Sequence, residues 1–406
     1  MRDGWVEATL NEALEPIANR PDGKDYPLVL SVTEKRGIIP QTEIFNHRIA
    51  TDDISKYKVL EPMDIAYNPY LLWCGAIGQW QGTEAGVVSP VYECFRVKSN
   101  CEPRYLGYIF ETGILTNYFD ALAIGSIVRR RRTIPSDFMA APIQLPPLPE
   151  QKRIVDLISS VDSYIEALQQ QLESAKRSRN AVLHELLTAG GDDWNESLVS
   201  NLISHSIGGI WGEEAGGDEV DVRVVRSTEF TPSGFLNFST GVTRSVKRSQ
   251  LLSRELKPGD ILLEKSGGGP TQPVGRVVFV DEFIPPGTVC SNFVLLIRPN
   301  QELVNQRFLF NILLLWHFNN RTLEFQAQTT GIRNLRTNDY LDQVVQIPPL
   351  SVQDEIVSLI DHFDAQIKKL DQTLYRAQSL RSGLLVNLLN GAHEIPSSYD
   401  KVIGAA

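Results

Sequence analysis

The densest cluster of positive charge in this 406-residue chain is the segment SIVRRRRTIP, residues 126–135. Its four consecutive arginines are Arg129, Arg130, Arg131 and Arg132. A weaker cluster, GIRNLRTND at residues 331–339, supplies Arg333, Asn334 and Arg336. Guanidinium and amide groups bind phosphate oxygens and base edges. A charge run is more often a solvated surface, but the recurrence of such a segment far along the chain favours contact with a nucleic acid.

A glycine-rich segment, KSGGGPTQPVG at residues 265–275, could bind phosphate through its backbone N–H groups. A Walker loop places lysine after the glycines and follows it with Ser or Thr, whereas here Lys265 precedes the glycines. A nucleotide site is therefore not predicted. The segment is interpreted either as a plain loop or as a flexible hairpin that approaches DNA. Its candidate contacts are Lys265, Thr271, Gln272 and Arg276.

The stretch AYNPYLLW, residues 66–73, is similar to the D/N-P-P-Y/F tetrapeptide with which adenine methyltransferases bind a flipped base. It lacks one proline, and no glycine-rich cofactor loop precedes it, so methyl transfer by this chain is not predicted. Asn68 is interpreted as a turn residue that contacts DNA or merely closes a strand. Further candidate contacts are Lys35 and Arg36, and the basic segment TRSVKRSQ at residues 243–250.

Other catalytic or metal-ligating patterns are not found. The six histidines form no HExxH, no GxSxG elbow occurs, and the four cysteines form no CxxC pair. We therefore predict no metal site and no catalysis. With 42% hydrophobic and 22% charged residues, and neither a long apolar run nor an apolar signal core, we expect a cytoplasmic protein without a membrane span. The net charge of −10 means that DNA contacts must come from local clusters.

These candidate residues are carried by two halves of a tandem repeat. LEPMDIAYN (60–68) resembles LKPGDILLE (256–264), which aligns Asp64 with Asp260. The other matched segments are GWVEATLNEAL (4–14) with DWNESLVSNLI (193–203), VVSPVYECFRV (87–97) with VCSNFVLLIRP (289–299), and LPPLPEQKRIV (145–155) with IPPLSVQDEIV (347–357). A repeat of this length predicts two similar domains in tandem.

Short apolar runs broken by Gly, Pro and Asn predict strands and turns in each half, with helices near RYLGYIFETGIL and RFLFNILLLWHF. The predicted fold class is α+β, with two similar domains joined and separated by two long helices. The predicted boundaries are 1–144 for the first α+β domain, 145–192 for the first helix, 193–346 for the second α+β domain, 347–391 for the second helix and 392–406 for a C-terminal tail.

The segments 145–155 and 347–357 are called the proline phrases here. After each of them, apolar residues recur at alternating steps of four and three and form a seam along one face, which predicts a coiled-coil helix of about 38 residues. Arg179 and Arg381 occupy matching positions in the two seams, and Gly190 and Gly391 mark the helix ends. The apolar seam residues are Ile154, Ile158, Val161, Ile165, Leu168 and Leu172 in the first helix, and Ile356, Ile360, Phe363, Ile367, Leu370 and Leu374 in the second.

Two helices with matching seams in one chain most simply bury those seams against each other. A whole domain connects them, so either relative direction is reachable. We expect the antiparallel direction, because it relates the halves by a two-fold axis of the kind that duplex DNA also has. Two unlike domains would then read an asymmetric, split target, with the helices setting the gap. From periodicity alone, a scaffold or dimerisation device that binds no DNA stays equally open.

The proline phrase, the heptad helix after it and the two variable halves together resemble the specificity subunit of type I restriction–modification systems, over about residues 5–391. LPPLPEQKRIV is similar to that family's helical spacer, while DIAYNPYLLWCGAIG, GVVSPVY and GDILLEKSGGGPTQPVG look like its target recognition domains. The second proline phrase departs from the pattern at Ser351 and Val352, where the first has Pro149 and Glu150. The seam after it is intact.

The resemblance implies a non-catalytic subunit that binds double-stranded DNA and recruits two modification subunits. These partners would methylate adenine N6 with S-adenosylmethionine, and restriction (helicase–nuclease) subunits would add ATP- and Mg-dependent translocation and cleavage, so no cofactor is expected on this chain. The alternatives are the recognition subunit of a related methyltransferase–nuclease outside type I, a coiled-coil scaffold without DNA reading, and a standalone methyltransferase.

Overall fold

The computed structural model of the chain describes residues 4–44, 53–125, 131–231, 233–237, 240–268, 273–329 and 332–400. The chain divides into two compact units, Met1–Gln169 with Gln372–Ala406, and Gln170–Asp371. Each unit therefore contains one mixed helix-and-sheet domain and one half of each of two long helices. Among the described residues, no helix is both long and apolar enough to span a membrane.

The first unit contains a four-stranded sheet in the order β2-β9-β6-β7 and three two-stranded sheets, β1-β10, β3-β4 and β5-β8. Its strands are β1 Val6–Thr9, β2 Leu14–Ile17, β3 Leu30–Thr33, β4 Gly37–Pro40, β5 Lys58–Leu60, β6 Ile65–Tyr67, β7 Ile77–Gln79, β8 Gly86–Val88, β9 Glu93–Val97 and β10 Pro142–Leu145. Its short helices are α1 Leu10–Ala13, α2 Pro103–Glu111, α3 Thr116–Leu122 and α4 Pro135–Met139. The first long helix, α5, begins at Leu148 and ends at Thr188.

The second unit contains the corresponding four-stranded sheet, β12-β19-β15-β17, together with β11-β22, β14-β13-β18 and β16-β21-β20. Its strands are β11 Asn195–Leu198, β12 Ile203–Gly208, β13 Val220–Val225, β14 Val242–Val246, β15 Ile261–Glu264, β16 Ser266–Gly268, β17 Val277–Phe279, β18 Thr288–Cys290, β19 Val294–Pro299, β20 Gln326–Thr329, β21 Ile332–Leu335 and β22 Val344–Ile347. Its helices are α6 Arg248–Arg254, α7 Gln306–Phe318, α8 Thr337–Leu341 and the second long helix, α9 Leu350–Leu389.

A buried carboxylate anchors the four-stranded sheet of each domain at the same place. Asp64 accepts hydrogen bonds at 2.9 Å from Nε and Nη2 of Arg96, and Asp260 accepts the equivalent pair at 2.7 Å from Arg298. Both aspartates are buried, so each would be costly to leave without its partner. The aspartates that the sequence repeat aligns therefore hold the same position in two copies of one fold.

Each proline phrase leads into a long helix through an identical glutamine bridge. Gln151 donates to the carbonyl of Pro146 at 2.9 Å and accepts from the backbone N–H of Glu102 at 2.8 Å. Gln353 donates to the carbonyl of Pro348 at 2.8 Å and accepts from the N–H of Asn305 at 2.7 Å. Both glutamines are buried, so the bridge fixes where each helix leaves its domain.

The long helices run antiparallel within each unit. In the first unit, Ile154 and Ile158 of α5 share a core with Leu385 and Leu388 of α9, and Asp162 pairs with Arg381 at 3.2 Å through Oδ2 and Nη2. Residue numbers therefore rise along α5 while those of the contacting residues fall along α9. This direction is the predicted one.

The second unit repeats this contact with the roles of the helices exchanged. Leu183 and Leu187 of α5 share a core with Ile356 and Ile360 of α9. Arg179 pairs with Asp364 through Nε–Oδ1 at 2.9 Å and Nη2–Oδ2 at 3.2 Å. The two arginines in matching seam positions therefore serve as partners of two matching aspartates.

The seam residues named from the sequence are buried to different degrees. Buried are Ile154, Ile158, Ile165, Leu168, Leu172, Ile356 and Ile360. Partly buried are Val161, Phe363, Ile367, Leu370 and Leu374. Gly190 and Gly391, which follow the helix ends, adopt positive φ angles of 66° and 73°, as the residue after a helix commonly does.

Candidate nucleic-acid interface

The same backbone hydrogen bond joins the predicted contact segments in both domains. In the first domain, the N–H of Thr133 donates to the carbonyl of Pro69 at 3.0 Å. This bond brings the end of the arginine run to the turn at residues 68–70, called the NPY turn here. In the second, the N–H of Leu335 donates to the carbonyl of Lys265 at 2.8 Å, which brings β21 to the glycine-rich segment. Segments more than sixty residues apart in sequence thus form one surface in each domain.

In the first domain, this surface centres on the turn that follows β6. The Asn68 carboxamide oxygen accepts the N–H of Tyr70 at 3.1 Å, so it stabilises the turn. The Tyr70 side chain is 42% exposed, and Trp73 donates its indole N–H to the Tyr70 carbonyl at 2.9 Å. The local geometry therefore presents an aromatic residue beside Asn68.

The arginine run meets this turn through Arg131. Its guanidinium lies 4.8 Å from the ring centre of Trp73 and contacts Asp120 through Nη1–Oδ1 at 2.7 Å. Arg132 is exposed, and its backbone pairs with Ile124. Arg131 is thus held in place within the domain, while the Arg132 side chain points into solvent. Arg129 and Arg130 lie outside the described residues.

The hairpin with Lys35 and Arg36 reaches the same turn. A Cβ added at Gly75 would lie only 3.3 Å from the Glu34 carbonyl, so the β3–β4 turn packs against the end of the 68–74 segment. Lys35 is exposed there, and Arg36 forms an ion pair with Glu43. Three features that the sequence presents separately are therefore neighbours in the first domain.

In the second domain, β16 and β21 carry the corresponding residues. Ser266 lies opposite Asn334 in the antiparallel pairing and donates its hydroxyl to the Asn334 carboxamide oxygen. Arg333 lies opposite Gly268, and Lys265 is half-buried, with its backbone N–H bonded to the Phe293 carbonyl at 2.9 Å. Arg336 is exposed and pairs with Asp339 at 2.9 Å. Thr271 and Gln272 lie outside the described residues.

Arg276 differs from the other candidates because its charge is used inside the domain. Its Nε and Nη2 bond both carboxylate oxygens of Glu264 at 2.8 Å and 2.7 Å, and Nη2 also donates to the Ser227 carbonyl. These hydrogen bonds to Glu264 raise the pKa of Arg276 although burial opposes the shift. The geometry gives Arg276 a structural contact, and a bidentate carboxylate leaves it little capacity for a phosphate.

A concave site beside β16 was not singled out from the sequence. A cavity of about 470 Å³ is lined by Trp211 and by residues 226–228, 266–267 and 291–293. The basic segment 243–250 reaches its rim, because the guanidinium of Arg244 lies 5.1 Å from the Trp211 ring centre. No motif links these positions, since they come from four separate stretches of chain.

The described residues were compared with the requirements of a metal site and of a reactive thiol. They contain no group of three or more His, Cys, Asp or Glu side chains that could hold a metal ion. All four cysteines are free thiols. Burial raises the pKa of Cys94, Cys101 and Cys290 to about 12, so these groups stay protonated at neutral pH and are poor nucleophiles.

Comparison with known proteins places this architecture in context. The family described as "Type I restriction modification DNA specificity domain" matches residues 86–177 and 240–375, which together exceed half of the chain. The specificity subunit of the type I restriction enzyme EcoBI from Escherichia coli is 23% identical, over 61% of this chain and 58% of that protein. The StySPI specificity subunit from Salmonella potsdam is also 23% identical, over 96% of this chain and 89% of that protein.

Solved structures show a similar fold. A chain from a study of complex assembly and conformational transition in the type I R-M system superposes with a TM-score of 0.61 at 16% identity, covering 96% of this chain and 98% of that one. The S subunit of a type I restriction–modification system from M. genitalium superposes with a TM-score of 0.50 at 13% identity, covering 97% of both chains. At these identities the likeness is one of fold.

Proposed function

Because the chain belongs to the family of type I restriction–modification DNA specificity domains, we propose that each of its two domains reads one part of a bipartite, asymmetric target in double-stranded DNA. The chain is the DNA-recognition subunit of such a system, and this identity implies a non-catalytic role. The family match disfavours a coiled-coil scaffold that reads no DNA. A cytoplasmic location is part of the proposal, consistent with four free thiols.

The proposal rests on one observation, that the two domains share the same backbone arrangement at this surface but carry different side chains on it. The bonds from Thr133 to Pro69 and from Leu335 to Lys265 build the same junction in both domains. On that junction the first domain presents Asn68 and Arg132, whereas the second presents Lys265, Arg333 and Asn334. Base edges differ in their hydrogen-bond donors and acceptors. Two domains that share the same backbone junction but present different side chains on it are therefore suited to two different halves of a target.

The contacts fall into two proposed classes. The exposed Lys35 and Arg132 are placed to neutralise phosphates, which positions the domain without reading sequence. Asn68 and Asn334 carry the carboxamides that pair best with adenine. Arg131, Arg276 and Arg336 already have internal carboxylate partners, so we assign them supporting contacts rather than base reading.

The two long helices are the proposed docking surface for two modification subunits. In the first unit, apolar side chains stand exposed on both helices, with Tyr164 at 54%, Tyr375 at 70% and Leu380 at 65%. Such exposure on helices that already share a buried seam marks an interaction surface. The partners would supply S-adenosylmethionine-dependent adenine methylation, and restriction subunits would add ATP- and Mg-dependent cleavage, leaving this chain without a cofactor.

Exchange of one domain tests the proposal. Residues 193–346 would be replaced by the corresponding domain of a relative, with both helices retained, and the methylated sites of the host genome would be sequenced. We expect one part of the recognised sequence to change while the other part and the gap stay the same. A change in both parts, or in neither, would contradict a split reader.

The helices are proposed to set the gap, and an insertion separates that role from base reading. Whole helical turns inserted beside Gly190 should lengthen the gap and preserve both recognised parts. The alternative of a protein that does not bind DNA through phosphates is tested by titrating salt, because phosphate contacts make the affinity fall steeply with ionic strength. Binding that is weak and independent of salt would favour the scaffold.

A further inference from the structure

The cavity of the second domain has the chemistry of a base-reading site rather than of a phosphate site. Among its lining residues only Arg226 is ionisable, and its Nη2 bonds Glu229 at 2.8 Å and the Thr240 carbonyl at 3.1 Å. Its charge is therefore compensated. A phosphate site needs an uncompensated cation, whereas the hydroxyls and the carboxamide in this lining can match the mixed donors and acceptors of a base.

Arg226 is held rigidly by a buried partner. Burial alone would raise the pKa of Glu229, but hydrogen bonds from Arg226 and Thr240 outweigh it and lower that pKa, so the carboxylate stays ionised at neutral pH. The Glu229 side chain is fully buried, while that of Arg226 is 34% exposed. An arginine oriented by a second residue loses little entropy when it donates to a ligand.

The floor of the cavity contains a polar group without an internal partner. Ser291 is 1% exposed, and its hydroxyl has no hydrogen-bond partner among the described residues. A buried hydroxyl without a partner costs about 1–3 kcal/mol and normally calls for an explanation. A Cβ at Gly209 would lie 2.2 Å from the Ser291 carbonyl, so the segment leading to Trp211 packs directly on this floor.

The rim provides aromatic surface on two sides. Trp211 is 37% exposed and Phe293 is 47% exposed, so both rings have surface that a ligand can contact. Aromatic faces and edges of this kind contact bases by stacking or through the thymine methyl group. The volume of about 470 Å³ is ample for a nucleobase.

The sequence repeat identifies which of these positions differ between the domains. β6 aligns Ile65 with Phe95 and β15 aligns Ile261 with Ile297, so Ser89-Pro90-Val91 corresponds to Ser291-Asn292-Phe293. The turn is the same in both, with Tyr92 N–H to Ser89 O at 3.1 Å and Val294 N–H to Ser291 O at 2.9 Å. Val91 is 48% exposed, about the same as Phe293. One turn thus presents proline and valine in one domain and asparagine and phenylalanine in the other.

We infer that this cavity binds a base of the target DNA and that Asn292 and Phe293 determine which base the second domain selects. The inference rests on the proposed function. Asn292 supplies a donor and an acceptor for the edge of the base, Phe293 covers it, and Arg226 is positioned beside it. The equivalent turn at Pro90 and Val91 makes a different selection in the first domain.

The test uses the full chain with co-expressed modification subunits and a library of random duplex DNA. The wild type, Asn292→Ala, Phe293→Val and the control Phe283→Ala would each be used to select bound sequences at two salt concentrations. Phe283 is a suitable control position because it is an aromatic residue of the same domain. It is 77% exposed and lies outside the cavity lining. Phe293→Val installs the residue of the first domain at a half-exposed position, which keeps the test valid if Asn292→Ala fails to fold.

We expect each cavity variant to relax or change the selected base at one or two positions in one part of the target. The expected loss of preference is about tenfold, as for removal of one good base contact, with the other part and the salt dependence unchanged. Variants that select the wild-type sequence, or that alter both parts, would overturn the inference and leave the proposed function standing. A wild type that selects no split sequence would overturn both.

Discussion

Asp64 holds Arg96 in the first domain and Asp260 holds Arg298 in the second, in the same bidentate geometry. Four residues further along, the two domains diverge. Asn68 caps a turn in the first domain, whereas Glu264 in the second is buried and paired with Arg276. The backbone bond is retained at both places, from Asn68 N–H to Ala76 O at 3.0 Å and from Glu264 N–H to Arg276 O at 2.8 Å.

The divergence shows how one scaffold can support different surfaces. The Asp–Arg pair inside each four-stranded sheet is the same in both copies, because loss of the arginine would leave a buried carboxylate unpaired. Residues at the junction differ, because their partners are local or lie in solvent. A charge at the junction therefore has to be traced to its partner before it is counted as available for DNA.

The two units also differ in how the matching seam arginines are paired. Arg381 of the first unit has two acidic partners, Asp162 and, at 2.8 Å, Glu111. Arg179 of the second unit has Asp364 as its acidic partner, and its side chain is 9% exposed. Loss of one aspartate should therefore have unequal consequences in the two units.

The largest expected effect is on stability, from Asp364→Ala compared with Asp162→Ala. The first change leaves Arg179 buried without a carboxylate and should cost about 3–5 kcal/mol of unfolding free energy. The second leaves Arg381 with Glu111 and a more exposed environment, and should cost about 1 kcal/mol. Urea unfolding of the full chain followed by circular dichroism measures both. Equal losses would mean that Glu111 does not compensate.

A smaller contrast is expected between Glu264→Ala and Asn68→Ala, which alter equivalent positions. Glu264→Ala leaves the Arg276 guanidinium without its carboxylate and should cost about 1.5–3 kcal/mol, the range for a lost hydrogen bond to a charged group. Asn68→Ala removes one turn bond and should cost about 1 kcal/mol or less while it changes DNA selection. Melting temperatures and selection from random duplexes would be measured together. Loss of stability in Asn68→Ala without any change in selection would argue against its contact with DNA.

The smallest expected difference is a dependence of stability on pH that arises from His317 in the second domain. Partial burial and the charge of Arg276 lower the pKa of His317 in the folded state. Below about pH 6.5 the unfolded chain takes up a proton that the folded chain does not, so stability falls as the pH drops through this range. His317→Gln should reduce that slope between pH 7 and pH 5.5. An unchanged slope in denaturant titrations would assign it to other groups.

Several features follow from residue type and spacing because they depend on local rules. The steps of four and three predicted the two helices, and the glycines at 190 and 391 predicted where they end, since left-handed backbone suits glycine. The internal repeat predicted two similar domains, and the repeated Asp64 and Asp260 occupy equivalent buried positions. Arg179 and Arg381 stood out as charges in an apolar seam, but spacing could not name their partners.

The candidate interface was only partly predictable. The arginine run and the NPY turn were each found as motifs, yet their contact through Thr133 and Pro69 joins distant parts of the chain. Arg276 looked like a DNA contact because it follows a glycine-rich loop, and its pairing with Glu264 depends on the pairing of β15 with β17. The DNA contacts themselves remain predictions.

By itself, the sequence determined the repeat, the long helices and their apolar seam, because hydrophobic period and helix-end chemistry act over a few residues. The tertiary structure decided which charged side chains are paired inside a domain and which are exposed for contact with DNA, because an ion pair depends on distances between strands and helices that no local pattern specifies. It also decided that Trp211, Arg226, Ser266 and Asn292 surround one cavity. Residues from four separate stretches converge there only when the sheets that carry them are assembled.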